Sequence, residues 1–267
     1  MNWFTKAFTS TLGRKLVMSL TGLFLIAFLI VHAAGNLQLF HNDEGMSFNM
    51  YTVFMTGNPI IKTISYLLYA TFVVHFLQSV IITIQNRKSR PQGYVKNVAN
   101  ANSKWSSRNM GILGTVILVF LVTHMVNFWA QYHWSEIPKK TYYTITFDGD
   151  EIHTAMKDTA QNIYTREQSM QMQNPTYENK VTDIKVHRVK DLYKTVEIAF
   201  KDEWLVILYL LGMLALSFHL LHGFQSAWQT LGVNHRKYVP IIKTVGWLYS
   251  TIIPALFAAM PLYFYFK

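Results

Sequence analysis

Residues 204–235 read WLVILYLLGMLALSFHLLHGFQSAWQTLGVNH, a stretch without Asp, Glu, Lys or Arg. A helix that crosses the hydrocarbon core of a bilayer needs about 20 mostly apolar residues, so this stretch can hold one. Four more stretches lack these charged residues, namely 16–42, 63–86, 109–135 and 244–266. The pattern predicts an all-α fold, a polytopic membrane protein with five transmembrane helices.

Glycine, proline and aromatic residues mark the ends of the five helices. We expect the helices near residues 16–39, 60–85, 109–132, 204–231 and 241–266. The first could instead be a signal peptide, but its apolar run exceeds the roughly 7–15 residues of a signal sequence, and four more runs follow. We interpret residues 1–267 as one membrane domain that is interrupted by a polar insert at 135–203.

The composition agrees with a membrane protein. Of the 267 residues, 51% are hydrophobic and only 14% are charged, whereas a soluble domain carries about 25% charged residues. The chain has no cysteine, which excludes disulfides, thiolate zinc sites, iron–sulfur ligation by this chain and covalent c-type haem attachment. The net charge of +10 has two possible explanations, a nucleic-acid partner or the orientation signal of a membrane protein.

The distribution of the basic residues answers that question. Twelve basic and no acidic residues lie in the N-terminal segment, the second connection and the fourth connection, which five helices place on one side. Short basic segments mark the cytoplasmic side of a membrane protein. We therefore expect a cytoplasmic N-terminus, an extracytoplasmic C-terminus and no role for nucleic acid.

The insert at 135–203 is then extracytoplasmic. The stretch Tyr142–Phe147 alternates between apolar and polar residues, which predicts a short strand or hairpin. Near the end of the insert, apolar residues at helical spacing predict an amphipathic helix that lies along the outer membrane interface. These residues are Val189, Leu192, Tyr193, Val196 and Phe200.

One histidine lies well inside each of the first four expected helices: His32, His75, His124 and His219. A single histidine in such a place is often only hydrogen-bonded to a neighbouring helix. Four of them, one per helix, indicate a shared purpose, because ionisable groups are costly inside a bilayer. His222 lies one turn after His219 and is an alternative to it.

The four histidines fall at two depths. His32 and His124 lie 18 and 16 residues past the cytoplasmic Arg14 and Arg108, hence about 24–27 Å into the membrane at about 1.5 Å per residue. The other two helices run in the opposite direction, so His75 and His219 lie in the inner half. The histidines therefore form an outer pair and an inner pair, and depth favours His219 over His222 for the latter.

Two imidazoles per site suit a b-type haem. The macrocycle supplies the other four ligands, and cores of helix bundles are usual places for such sites. Zinc would need three or four converging ligands, and the expected helices contain no Cys, Asp or Glu. Small residues leave room for flat macrocycles but also serve ordinary helix packing; these are Gly22, Ala27, Gly35, Gly114, Gly212 and Gly223. Two haems at two depths would form a transmembrane electron path within a four-helix core.

The local sequences around the histidines carry a family resemblance. They are HAAGN at 32–36, VH at 74–75, TH at 123–124 and SFHLLHGFQSAW at 217–228. Over about residues 10–133 and 190–266, the chain resembles the diheme cytochrome b membrane-anchor subunit of succinate dehydrogenase and fumarate reductase, in its single-chain, five-helix form. The resemblance pairs helix one with helix three and helix two with helix four. Some members have Asn where this chain has His222, so no role is transferred to that position.

The resemblance implies two haem b groups and a bacterial inner-membrane complex, of which a dimer is allowed. A flavoprotein subunit and an iron–sulfur subunit would dock on the cytoplasmic face. Electrons from succinate would pass through them and the haems to a quinone, with menaquinone the expected acceptor, or in reverse for fumarate reduction. This chain would be the quinone-reactive electron-transfer subunit of that enzyme and would contribute no catalytic residue for succinate.

Two sets of polar residues are candidates for further contacts. If the quinone site lies near the outer haem, the candidates are Asn36, Gln38, His41, Glu44, Asn127, Gln131 and His133. Each of them alone equally suits an ordinary membrane interface. On the cytoplasmic side, Arg87, Lys88, Arg108 and Arg236 would pair with haem propionates, dock the partner, or only provide the orientation signal.

Three alternatives stay open at this point. The first is a diheme quinone cytochrome of a formate or nitrate enzyme. The second is a transporter whose histidines line a proton or metal path, although the expected helices hold no carboxylate and no paired broken helices. The third is a structural anchor alone, which leaves the four histidines unexplained.

Overall fold

The computed structural model describes residues 9–89, 92, 104–147, 150–154, 167, 170 and 181–267. In this part of the chain, five helices are long and apolar enough to cross a membrane. They are Thr11–Asn36, which a 3-10 turn continues to Phe40, then Pro59–Lys88, Met110–Trp134, Glu203–Thr230 and Tyr238–Phe266. The prediction of a helical, multi-pass membrane protein is confirmed.

Capping side chains explain where the first two membrane helices begin. The first starts five residues before its expected position, and the Ser10 hydroxyl accepts a hydrogen bond (3.0 Å) from the Gly13 amide. Asn58 caps the second helix by accepting from the amides of Ile60 (2.9 Å) and Ile61 (3.3 Å), with Pro59 in the first position. Such caps satisfy amides that lack a partner in the first turn.

The chain divides into two compact units, and the first consists of Met1–Ala34, Asn58–Met125 and Ala199–Lys267. Within it, the fourth membrane helix packs on the third and the fifth through two glycines. A Cβ at Gly212 would lie 2.7 Å from Cγ of Phe120, and one at Gly246 would lie 2.8 Å from Cδ1 of Phe224. These helices therefore approach closely because the two positions have no side chain.

The second membrane helix is packed much less tightly. None of the residues in this fully described helix is buried. Its half-buried residues include a stripe at steps of three and four, as expected for one helix face. The stripe consists of Ile61, Ser65, Leu68, Phe72, His75, Ser79 and Ile82. His75 thus belongs to the side of the helix that faces protein.

The second unit, Gly35–Gly57 and Val126–Ile198, contains the insert. Its antiparallel sheet has the order β2-β1-β3, with β1 at Lys139–Phe147, β2 at Asp150–Thr154 and β3 at Val181–Lys190. β1 includes the alternating stretch Tyr142–Phe147. Helices at Met46–Gly57 and Leu192–Ala199 complete the unit.

The structure corrects the expected amphipathic helix of the insert. Val189 belongs to β3, and the helix itself begins only at Leu192. The side chains of Tyr193 and Val196 are buried inside the second unit. A Cβ at Gly45 would lie 2.3 Å from Cγ of Tyr193. These apolar residues therefore pack against protein, and the position of this helix along the membrane interface stays a prediction.

A buried polar cluster holds the second unit together. The Asn49 amide donates to Tyr142 Oη (2.8 Å) and Asp191 Oδ1 (2.9 Å), and its oxygen accepts from the Tyr193 amide (2.9 Å). Asn49 and Tyr142 are both fully buried. Burial raises the pKa of Tyr142 to about 12, against the effect of the hydrogen bond from Asn49. The phenol therefore stays protonated at neutral pH and can donate to the Glu44 carbonyl (3.3 Å).

Candidate functional site

The first and third membrane helices bring the rings of His32 and His124 together. Their ring centres are 5.8 Å apart and their planes are at 90°. Two axial imidazoles, each about 2 Å from a shared metal, place their ring centres about 6 Å apart. The observed spacing therefore fits a metal between the two rings.

Aromatic side chains surround this pair. Phe28 stacks on His32 with ring centres 5.2 Å apart, and Phe257 of the fifth membrane helix lies at 5.4 Å. Phe120 lies 5.8 Å from the His124 ring, and Tyr209 at 6.1 Å. Such a shell excludes water from the site and lowers its effective dielectric constant.

The Tyr209 hydroxyl orients the His124 ring. Tyr209 Oη and His124 Nδ1 are 3.3 Å apart. A hydrogen-bonding partner on one ring nitrogen orients the imidazole and presents the other nitrogen to a metal. His124 is therefore arranged to use Nε2.

His75 is held by the first membrane helix. Its Nδ1 is 3.0 Å from Oγ1 of Thr21, and a Cβ at Gly22 would lie 3.5 Å from its Cε1. The first membrane helix thus passes beside the ring with room for a methyl group at Gly22, and the Thr21 hydroxyl meets the ring nitrogen that points toward it.

His219 is the counterpart of His75 on the fourth membrane helix. His219 interacts electrostatically with His75 and, more weakly, with His222 on its own helix, whereas His222 also interacts with Lys104, just before the third membrane helix. Nδ1 of His219 is buried and has no hydrogen-bond partner among the described residues. The arrangement favours His219 over His222 as the partner of His75.

The described residues fit a group held by two imidazoles better than a protein-ligated metal ion. Among them, no three His, Asp or Glu side chains converge on one point. Beside the half-buried Gly114 and Gly223, no described atom lies within 4 Å of the position of a Cβ. Gly223 follows His219 by one turn on the same helix face. The bundle therefore has two imidazole pairs, and the space beside Gly223, one turn from His219, is not filled by a described side chain.

Two of the other small residues have a different role. Gly212 makes room for Phe120, and Gly35 makes room for Tyr51, whose ring would lie 2.5 Å from a Cβ. Both therefore serve aromatic packing within the protein, which the sequence pattern could not distinguish from space for a cofactor.

A π-helical turn at Met125–Ala130 directly follows His124. Such turns are rare and often occur at functional sites. It includes the quinone candidate Asn127. No residue type signals a π turn, so it could not be predicted from the sequence.

The seven quinone candidates all belong to the second unit, but their side chains have different surroundings. His41 hydrogen-bonds to Ser47 (3.2 Å), Glu44 forms an ion pair with Lys140 (3.1 Å), and His133 stacks on Trp129 with ring centres 4.6 Å apart. Asn36 caps the 3-10 turn without a side-chain capping bond, and Gln38, Asn127 and Gln131 are half-buried.

Glu44 is the candidate with the most unusual backbone. Its φ is 55°, a left-handed conformation that costs on the order of 1 kcal/mol for a residue with a side chain. The Lys140 ammonium holds it there by donating to its carbonyl (2.8 Å). Of the seven candidates, Glu44 is the one that lines an open cavity of about 700 Å³, which also includes Asp43, Ser47, Lys185 and His187.

The four basic candidates lie at the ends of membrane helices or between them. Arg87 and Lys88 form the last turn of the second membrane helix, where positive charge is favourable. Arg108 precedes the third and Arg236 lies between the fourth and the fifth. All four side chains are exposed, so they are accessible to a partner or to lipid head groups.

No protein-family model, curated protein or solved structure matches this chain.

Proposed function

We propose that this chain is the diheme cytochrome b anchor subunit of a succinate:quinone oxidoreductase. The observation that carries the proposal is the pairing of four membrane histidines: His32 with His124, at ring centres 5.8 Å apart, and His75 with His219. Each pair joins two helices, each lies in a mainly apolar bundle, and the described residues offer no third ligand to either pair.

When bound between two such imidazoles, haem supplies one-electron exchange at its iron. The chain's own residues hold the ligands in place. Tyr209 and Thr21 contact Nδ1 of His124 and His75 and leave Nε2 for the iron. Aromatic rings around His32 and His124 keep water out. Two pairs at two depths suit electron transfer between the two sides of a membrane.

The partners in this proposal follow from charge and chemistry. The exposed Arg87, Lys88, Arg108 and Arg236 belong to the side that we propose to be cytoplasmic, where a flavoprotein and an iron–sulfur subunit would dock. A membrane quinone, with menaquinone the expected one, would exchange electrons with the chain. Glu44, with its strained backbone and its cavity, is the quinone candidate that the geometry supports best.

Haem content tests the pairing directly. Purified protein should show a b-type spectrum and about two haems per chain. His32→Gln and His124→Gln should each remove the same haem, and His75→Gln and His219→Gln the other. His222→Gln and His235→Gln are matched controls that should keep both. A haem-free wild type from haem-replete cells would refute the proposal, and loss of both haems from every single variant would leave the pairing without support.

The enzyme class needs a second measurement. Co-purified subunits should include a flavoprotein and an iron–sulfur protein, and the complex should reduce a menaquinone analogue with succinate as donor. If the complex instead acts on formate or nitrate, the chain is still a diheme cytochrome, but it belongs to a formate or nitrate enzyme and not to a succinate:quinone oxidoreductase. Thus the two parts of the proposal can fail separately.

A further inference from the structure

The hydroxyl of Thr21 has a single hydrogen and two carbonyl acceptors in its own helix. Oγ1 lies 2.7 Å from the Val17 carbonyl and 3.1 Å from that of Met18. When the hydroxyl donates to one of these carbonyls, its oxygen meets His75 Nδ1 (3.0 Å) as an acceptor. That arrangement requires the proton on Nδ1.

We propose that Thr21 is a positioning residue for the inner haem: it fixes the tautomer and the ring plane of His75 so that the unprotonated Nε2 faces the iron. This inference rests on the proposed function and deepens it.

The partner of His75 makes this contact more important. Nδ1 of His219 has no hydrogen-bond partner among the described residues, so the structure orients only one imidazole of the inner pair by a side chain. In the outer pair, Tyr209 lies at a longer distance (3.3 Å) from His124. The orientation of the inner pair therefore depends on the Thr21 hydroxyl.

Loss of the hydroxyl has two expected consequences. The Nδ1 proton would lack an acceptor in apolar surroundings, so the ring would turn or exchange tautomer, and removal of such a partner typically weakens metal binding about 10–100-fold. The hydrogen bond also increases the basicity of the ligand. Without it, any inner haem that remains should be easier to reduce.

The experiment compares Thr21→Val, Thr21→Ala, Thr21→Ser and Thr115→Val in the full-length protein. Thr115 is a matched control because its exposed hydroxyl donates to the Gly111 carbonyl (2.9 Å) in the same backbone-directed way. Haem per chain, redox titration of each haem and the low-temperature electron paramagnetic resonance spectrum are measured. None of these readouts depends on succinate or quinone turnover.

In Thr21→Val and Thr21→Ala, the haem content should fall from about two to about one per chain when haem is limiting. Where the inner haem is retained, its reduction potential should shift upward. Thr21→Ser should restore the wild-type values, and Thr115→Val should equal the wild type. The inference is overturned if Thr21→Ala keeps two haems with wild-type potentials. It is also overturned if Thr21→Ser loses haem or shifts its potential as Thr21→Ala does. If Thr21→Val does not accumulate, Thr21→Ala and Thr21→Ser decide. A wild type without haem instead defeats the proposed function, so the two failures differ.

Discussion

At the scale of single residues, hydrogen bonds from hydroxyl groups orient the histidine rings of the candidate site. Two hydroxyl groups from different helices contact Nδ1 of His75 and His124, and the Thr21 hydroxyl also has acceptors in its own helix. The positions of the four histidines along the membrane helices could be predicted from the sequence, as could the approach of His32 to His124. Thr21 and Tyr209 could not, because a hydroxyl on a membrane helix more often bonds to its own backbone, as Thr115 does.

The strongest single-residue prediction concerns Asn49. Asn49→Ala removes three hydrogen bonds from a fully buried position, and unsatisfied buried groups cost about 1–3 kcal/mol each. We expect amide hydrogen exchange in Gly35–Gly57 and 126–198 to quicken by at least about 30-fold. Asn42→Ala, at an exposed asparagine of the same unit, should leave exchange unchanged. Equal exchange in the two variants would show that the cluster does not stabilise the unit.

At the level of elements, aromatic rings in glycine gaps set the distance between membrane helices. Gly212→Ala would place Cβ 2.7 Å from Cγ and 3.0 Å from Cβ of Phe120. These atoms are at the base of the side chain, so the ring cannot swing away without moving the helix. Because Phe120 also packs on His124, a change at Gly212 reaches the outer histidine pair.

We therefore expect Gly212→Ala to destabilise the bundle by about 1–3 kcal/mol, as overpacking usually does, and to release the outer haem at a lower temperature. Gly111→Ala is the matched control, because no described atom lies within 4 Å of its Cβ position. Loss of haem is followed by the Soret absorbance during heating. A redox titration of the haem that remains identifies which of the two was lost. Identical melting of the two variants would mean that the helices are free to separate.

The membrane helices and the second unit differ in how far the sequence predicts them. Gaps between charged residues are sufficient to locate a membrane helix, because a charge is costly in hydrocarbon and the required length is fixed. The Met46–Gly57 helix has no such signal. Its one local cue is Asp43, whose carboxylate accepts from the amides of Gly45 (3.1 Å) and Ser47 (2.8 Å). Its buried face depends on residues about 93–142 positions later in the chain, and a local pattern cannot show those.

At the scale of the whole molecule, the described part of the chain has five helices that are long and apolar enough to cross a membrane, and we propose that all five cross it with the basic segments inside. The absence of cysteine makes orientation easy to measure, because one introduced cysteine is the only reactive thiol. Asn42→Cys and Ser89→Cys lie at exposed positions on either side of the second membrane helix. On intact cells, an impermeant maleimide should label Asn42→Cys, and Ser89→Cys only after permeabilisation, because the basic segments remain inside. The reverse labelling would invert the proposed topology.

The second unit is assembled from two separated parts of the chain. The time needed to synthesise the residues between them therefore limits when the unit can fold. Asn49 and Asp191, which share a hydrogen bond, lie 142 residues apart, a length that a ribosome adding roughly 5–20 residues per second takes about 7–28 seconds to make. During that interval the part made first has no partner for its buried amide. The unit can close only when the insert is nearly complete, so a pause or a truncation between these two positions would leave the Met46–Gly57 helix exposed to quality-control proteases.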